Sequence, residues 1–216
     1  MPEPPLADLT RTERLSLIAQ LEALTTEHWE TPSLCDGWRV IDVAAHLAWA
    51  PVLGAVAGGV AMARNGFSVN RMIERSAVAW SARGTDAILD QLRANAASGA
   101  RPIGMPQVAA LSDAVVHGFD VRRPLGLHHP VPPASVAPLA DFALATPWPM
   151  AAVIGGSARR RVRGVRLVVT DADWQHGAGP EVRLSSDAAL RLVYGRAVEA
   201  GELDGPGAPT LLSRLS

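Results

Sequence analysis

The chain has 216 residues, of which 48% are hydrophobic and 19% charged, a balance typical of a folded globular protein. A formal net charge of −1 gives no electrostatic reason to expect nucleic acid or an anionic membrane surface as a partner. The single cysteine excludes an internal disulfide and is typical of a reducing cytoplasm. The absence of lysine excludes Schiff-base chemistry on a lysine.

Two stretches resemble targeting or membrane segments at first sight. The N-terminal MPEPPLADLTRTER lacks the apolar centre of a secretory signal, so we expect a cytoplasmic protein. The longest apolar run, residues 43–63, is interrupted by His46, Pro51 and several glycines. It predicts a buried pair of helices with a break at Pro51 and no membrane span.

The first part of the chain has helical periodicity. Apolar residues predict a first helix that begins near Leu9 and ends near Trp29, followed by the loop TPSLCDGW. A second helix carries residues 40–47. A third covers 68–82, is broken at Arg83-Gly84 and has a short continuation to about 97, and a fourth covers 106–122 before Pro124. Four helices with antiparallel connections predict an up-and-down four-helix bundle that occupies residues 1–127.

The pattern changes after His128. A proline-rich linker precedes a predicted helix over 136–154, and the valine-rich VRLVV predicts a strand over 165–169. PEVRLS predicts a second strand, and residues 187–196 a short amphipathic helix, with a helical turn or two in the tail. We therefore predict an α+β protein whose residues 135–216 form a smaller C-terminal α/β lobe.

Three polar residues stand on apolar helical faces. Asp113 and His117 are four positions apart and lie on one face of the fourth helix, while His46 lies on the second helix. Ligands from facing helices, two of them one turn apart, are how metal sites are built in helical bundles, and three ligands leave a fourth position open. The spacing alone is only moderately specific, because Asp42 and His46 repeat it. The alternative is a histidine held by hydrogen bonds in the core.

The stretches WETPSLCDGWRVIDVAAHLAWA and SDAVVHGFDVRRPLG resemble the mycothiol-dependent maleylpyruvate isomerase family, which is part of the DinB-like helical-bundle superfamily. The C-terminal TDADWQHGAGPEVR and LRLVYGR are similar to the second domain of many members. The resemblance implies a DinB-like bundle and a divalent metal, usually zinc and alternatively nickel, held by His46, Asp113 and His117. The characterised family pattern has glutamate at the position of Asp113, and the shorter aspartate could bind through water or support a histidine instead.

The resemblance to this family also suggests catalytic and cofactor-binding roles for further residues. Asp120 is predicted either to orient His117 or to form a salt bridge with a neighbouring arginine, and Arg75 is the second predicted catalytic residue. The predicted cofactor-binding residues are Trp38, Trp49 and Arg71.

Other polar groups are predicted to have structural roles. Cys35 is expected to be a small buried side chain and not a nucleophile. We expect His128 and His129 to be exposed, His176 to lie in a turn or an interface, and the basic run 158–163 to form a solvated edge.

The family's cofactor is mycothiol, a low-molecular-weight thiol. The sequence therefore predicts a thiol transferase or isomerase that acts on a small electrophile with a metal-activated thiolate as nucleophile. Two alternatives stay open: a metal hydrolase on the same scaffold, and a non-catalytic metal- or ligand-binding bundle. A homodimer also stays open, and no nucleic acid or membrane partner is predicted.

Overall fold

A computed structural model describes residues 4–215, which form helices and one small sheet. The chain separates into two compact units, Pro4–His129 and the residues from Pro130 onward. No helix among residues 4–215 combines the length and the apolarity needed to cross a membrane.

The first unit is helical. Its helices are α1 (Leu6–Glu22), α2 (Thr26–Trp29), α3 (Val40–Trp49), α4 (Ala55–Arg64), α5 (Val69–Ser81), α6 (Thr85–Ser98) and α7 (Gln107–Arg122), with a 3₁₀ turn at Ala50–Val52. The predicted first helix ends earlier than expected, at Glu22. Thr25 is extended and its hydroxyl accepts a hydrogen bond from the backbone N–H of His28, so a separate short helix begins there.

Helix α1 packs on α6 and α7, and α3 packs on α5, α6 and α7. The side chains that fill this core are aliphatic for the most part and include Leu17, Ile18, Leu21, Val40, Val43, Ala44, Leu47, Ala77, Ile88, Leu92 and Val121. The site described below lies between α3 and α7, where the two helices meet in this core.

The predicted up-and-down order of the bundle is not found. Gln107 at the start of α7 donates to Thr10 near the start of α1 (3.2 Å), and Arg122 at the end of α7 donates to Gln20 near the end of α1 (2.6 Å). The two helices therefore run in the same direction, whereas the first and last helices of a simple up-and-down bundle would be antiparallel.

The apolar run at 43–63 breaks at Pro51 as predicted, but its second helix is not buried. No residue of α4 is buried, and the side chain of Val56 is 84% exposed. The apolar composition of α4 was therefore a poor guide to its position.

The second unit contains α8 (Pro133–Ala145), α9 (Met150–Val153), α10 (Ala158–Arg161), α11 (Ser186–Val193), α12 (Ala208–Leu215) and a 3₁₀ turn at Ala200–Glu202. Its strands are β1 (Arg166–Val169), β2 (Gln175–Gly177) and β3 (Glu181–Leu184), in the order β2-β1-β3. β1 pairs in parallel with β3 and antiparallel with β2, with Leu167 opposite Val182. The strand predicted at 165–169 corresponds to β1.

Three expectations for the second unit need correction. The helix predicted over 136–154 ends at Ala145, because Pro147 and Pro149 follow it. Of the turn or interface expected for His176, the turn is wrong: the residue lies in β2, with its ring stacked on Trp174. The basic run is only partly a solvated edge: Arg161 donates to the carbonyls of Leu192 and Val193 at the end of α11.

A buried ion pair joins α1 to the end of α7. Glu13 and Arg122 are both 4% exposed and pair directly. Gly118 makes room for this contact, because a Cβ there would lie 2.6 Å from an Arg122 guanidinium nitrogen. His129, predicted to be exposed, is half-buried instead, with Nε2 2.9 Å from Glu13 and Nδ1 3.1 Å from Ser16. Burial raises the pKa of Glu13, but His129 and Arg122 outweigh this effect and lower it below its ordinary value.

We expect Glu13→Gln to lower the free energy of unfolding by about 3–5 kcal/mol at pH 7, because it leaves the Arg122 charge buried without its partner. Urea denaturation measures this. Because folding lowers the pKa of Glu13, its contribution is present above the ordinary carboxyl pKa and is lost as pH falls through the folded-state value. The difference from wild type should therefore shrink below about pH 4.

The matched control is Glu22→Gln, which breaks an exposed pair with Arg93 (2.8 Å) and should change stability little. An equal loss in both variants, or a Glu13→Gln difference that stays constant from neutral to acid pH, would contradict the role given to this pair.

Candidate metal centre

Three predicted side chains meet between α3 and α7. Nε2 of His46 lies 3.3 Å from Oδ1 of Asp113, and Nε2 of His117 lies 3.5 Å from the same oxygen. One potential ligand atom from each of the three residues lies within 4.8 Å of the other two. The rings of His46 and His117 approach edge to face, with centroids 4.9 Å apart. The two helices thus bring two imidazoles and one carboxylate to a single point.

The local sequence explains why Asp113, and not the equally spaced Asp42, supplies the carboxylate of the cluster. Asp113 and His117 are one turn apart on α7 and project to the same side. Asp42 has the same spacing from His46, but its carboxylate closes a capping box at the start of α3 and accepts from Arg39 at 3.0 Å. Asp42 is therefore engaged at the helix end, and Asp113 supplies the carboxylate that faces His46.

The distances fit a tetrahedral metal ion. Zinc binds imidazole nitrogen and carboxylate oxygen at about 2.0–2.2 Å, which places neighbouring ligand atoms about 3.3–3.6 Å apart. The distances of 3.3 and 3.5 Å from the Asp113 oxygen to the two imidazole nitrogens match that edge length. Two nitrogens and one oxygen are also a donor set that zinc and nickel accept. The residues present therefore fit a divalent metal with one position left open.

Asp120 fixes the orientation of His117. Its side chain is fully buried, and Oδ2 lies 2.9 Å from Nδ1 of His117. A carboxylate at this position accepts a hydrogen bond from Nδ1–H, so Nε2 is the nitrogen that faces Asp113 and would bind a metal ion. The contact with His117 is one of the two interactions considered for Asp120 from the sequence, and the adjacent Arg122 pairs with Glu13.

Cys35 lies nearer to this cluster than the sequence suggested. Its Sγ donates to Oδ2 of Asp120 at 3.0 Å and lies 3.7 Å from Nδ1 of His117. Cys35, His117 and Asp120 form a second group compact enough to bind a metal. Because Nδ1 of His117 and the thiol already donate to the same buried carboxylate, we consider the group around Asp113 the better metal site.

A tight turn at residues 35–38 positions the side chains of Cys35 and Trp38. Gly37 has a positive φ of 75°, Trp38 N–H donates to the Cys35 carbonyl at 3.0 Å, and Leu34 N–H donates to the Asp120 carbonyl at 3.1 Å. The Cys-x-Gly-Trp spacing was visible in the sequence as a turn signal. Its attachment to Asp120, 85 residues away, was not visible.

Trp38 lies against the two imidazoles, and Trp49 lies at the end of α3. The Trp38 ring is 8% exposed, and its centroid lies 5.5 Å from that of His46 and 6.3 Å from that of His117. Trp49 is half-buried at the end of α3, and no ring contact between it and either histidine is found within residues 4–215. Of the two tryptophans predicted to bind the cofactor, Trp38 is therefore the one in ring contact with the histidines.

The cluster stabilises positive charge. Burial raises the pKa of Asp113, but His46, His117 and Arg14 outweigh this and lower it. Burial lowers the pKa of His117, but the contacts with Asp120, Cys35 and Asp113 raise it to about 10. The side chain of Asp113 is 28% exposed, against 7% for His46, so the cluster opens to solvent on the Asp113 side.

Among residues 4–215, no hydrogen bond or ion pair joins Arg71 or Arg75 to the cluster. Both are exposed on α5, and Arg75 donates to Asn65 at 3.4 Å. The residue that sequence reasoning missed is Arg14 on α1, which is half-buried and interacts electrostatically with Asp113. It falls within a helix of ordinary amphipathic pattern, so no sequence signal separated it from the exposed arginines.

Comparisons with known proteins support the family resemblance found in the sequence. Two solved structures are similar in fold, the mycothiol-dependent maleylpyruvate isomerase and a histidine-to-alanine mutant of it. Each aligns with a TM-score of 0.62 at 15% identity over 96% of this chain and 94% of its own. No curated protein sequence matches. The profile of the mycothiol maleylpyruvate isomerase N-terminal domain matches residues 10–122, more than half of the chain, and the protein therefore belongs to that family.

Proposed function

We propose that the first unit binds one divalent metal ion, zinc or alternatively nickel, through His46, Asp113 and His117. The observation that carries this proposal is the position of the Asp113 oxygen, 3.3 and 3.5 Å from the two imidazole nitrogens, a spacing that suits tetrahedral ligands. The shorter side chain of aspartate reaches this position directly, so we assign Asp113 as a ligand and not as a support for a histidine.

We infer that the protein is a mycothiol-dependent transferase or isomerase acting on small electrophiles. Membership in the family and the opening on the Asp113 side support this inference. A divalent metal at this site would supply a positive charge that lowers the pKa of a thiol at the open position. That thiol could then react at neutral pH without a nucleophile from the protein.

The chain's own residues prepare the site. Asp120 holds the Nδ1 proton of His117, which keeps Nε2 available as a ligand. Trp38 covers the two imidazoles with an apolar ring and keeps bulk water from that side. Asp120 is therefore a positioning residue, and the proposal does not depend on Arg71, Arg75 or Trp49.

His117→Ala should remove both metal and activity, because no neighbouring group replaces its Nε2. Cys35→Ala should retain the metal and most of the turnover, because the reacting sulfur comes from mycothiol. The measurements are metal content and mycothiol-dependent consumption of a reactive electrophile by each variant.

Retained metal with turnover lost by several powers of ten in Cys35→Ala would place the nucleophile on the protein and contradict this mechanism. Turnover that proceeds with water and without mycothiol would indicate a metal hydrolase instead. Purified protein that binds neither zinc nor nickel would support a non-catalytic bundle.

Asp120→Asn should weaken metal binding by about 10- to 100-fold, because the amide no longer supports the His117 imidazole with a negative charge. Competition with a chromophoric chelator measures the affinity. Asp36→Asn is the matched control, since Asp36 is exposed in the turn beside Cys35 and should bind metal as tightly as wild type. Equal affinities for Asp120→Asn and wild type would exclude the positioning role.

A further inference from the structure

The second unit contains a cavity of about 1210 Å³. Its lining residues come from the chain between α8 and α9, from α10, from the turn after α11 and from the end of α12. The volume lies above the range of about 300–1,000 Å³ that is usual for small-molecule sites, so a ligand of several linked groups has room in it. All of these segments belong to the second unit, whereas the candidate metal centre lies in the first.

The lining of this cavity is strongly basic. None of the described residues that line it is acidic, and five of the chain's 20 basic residues do so: Arg159, Arg160, Arg161, Arg196 and Arg214. The chain as a whole carries a formal net charge of −1, so the local excess of positive charge comes from where the fold places these side chains. Charges of one sign around a concave surface concentrate the electrostatic potential inside it.

Carbonyl groups hold several of these guanidinium groups in place. Nε of Arg159 donates to the carbonyl of Leu144 at 2.6 Å, and Nη2 of Arg161 donates to the carbonyl of Gly155 at 2.6 Å. Arg214 donates to the carbonyl of Arg163. A carbonyl fixes the position of a guanidinium but leaves its net charge uncompensated. Within residues 4–215 no carboxylate accepts a hydrogen bond from Arg159, Arg160, Arg161 or Arg214.

Other arginines of the same unit pair with carboxylates. Arg183 pairs with Glu181 at 3.1 Å, and the buried Arg191 pairs with Asp187 at 2.7 Å. The unit therefore has acidic residues, and they lie away from the cavity. Inside the cavity, burial and the charge of Arg196 both lower the pKa of Arg161. Like charges gathered in this way oppose folding, and they are expected where an anionic ligand supplies the missing negative charge.

An exposed aromatic ring completes the lining. Trp148 lines the cavity and is 79% exposed. An indole in water forgoes the stabilisation that its burial would bring. Its flat apolar face is a surface on which a planar ring can stack. The cavity therefore combines an aromatic face with a cationic wall.

We propose that this cavity binds a nucleoside diphosphate, with the phosphates on Arg159, Arg160 and Arg214 and the base against Trp148. The planar guanidinium suits phosphate because it donates two parallel N–H bonds to it. A diphosphate carries several negative charges and therefore matches the group of uncompensated arginines better than a single carboxylate does. The proposal is independent of the thiol chemistry of the first unit.

The shape of the basic surface favours a small ligand over a strand of nucleic acid. The arginines gather around one cavity, whereas a protein that binds single strands carries a basic groove that follows the backbone over several nucleotides. The net charge of −1 also lacks the general excess of basic residues that is typical of proteins that bind nucleic acid.

The first test is calorimetric titration of the wild-type protein with ADP, inorganic pyrophosphate and adenosine. ADP should bind most tightly and pyrophosphate next, because the phosphates contact the arginines, while adenosine should bind weakest. The affinity for ADP should fall as sodium chloride is added, since salt screens the charges. His117→Ala, which removes a ligand of the candidate metal centre, should bind ADP as tightly as wild type.

The second test separates the two halves of the ligand. Arg160→Gln and Arg214→Gln should each weaken binding of both ADP and pyrophosphate by about 10-fold. Arg163→Gln is the matched control, because it removes an exposed arginine of the same run that does not line the cavity, and it should bind as wild type. Trp148→Ala should weaken binding of ADP by about 10-fold and leave that of pyrophosphate unchanged. Circular dichroism confirms that each variant is folded.

Wild-type protein that binds neither ADP nor pyrophosphate at millimolar concentration would overturn the assignment. So would affinities in Arg160→Gln and Arg214→Gln equal to that of Arg163→Gln, or loss of ADP binding in His117→Ala, which would place the phosphates on the metal. Tighter binding of a single-stranded DNA decamer than of ADP would show a nucleic acid surface in place of a nucleotide site. Each of these results leaves the mycothiol-dependent function of the first unit to its own tests.

Discussion

The hydrogen bond from His117 to Asp120 is the interaction on which the rest of the site depends. A fully buried carboxylate 2.9 Å from Nδ1 determines which nitrogen of the ring carries the proton and which faces Asp113. Without it the imidazole could rotate or change tautomer, and Nε2 of His117 would no longer be fixed toward the Asp113 oxygen. The same carboxylate accepts from Cys35, and the Asp120 carbonyl accepts from Leu34 N–H, so the loop before α3 is fixed to α7 at Asp120.

The fold supports this bond from two directions. On one side the turn at Cys35–Trp38 places the thiol on Asp120 and the indole ring over the two imidazoles. On the other side the buried pair of Glu13 and Arg122 ties α1 to the end of α7. The side chains that surround the site therefore come from segments far apart in the chain.

Helical spacing and the family motifs were enough to predict that His46, Asp113 and His117 belong together, because residues one turn apart on a helix project to the same side. Several other features depend on tertiary contacts that periodicity does not encode. The direction of α1 relative to α7 and the attachment of Cys35 to Asp120 involve residues roughly 80 to 110 positions apart. Helix α4 was predicted to be buried, but none of its residues is. Its apolar composition shows which residues could be buried and does not show whether another element packs against them.

X-ray absorption at the zinc edge tests the central claim most directly. For the zinc-loaded wild-type protein we predict a first shell of nitrogen and oxygen at about 2.0–2.2 Å without sulfur, and one sulfur at about 2.3 Å once mycothiol is added. Sulfur in the first shell before any thiol is added would place the metal on Cys35, His117 and Asp120, and it would contradict the site built around Asp113.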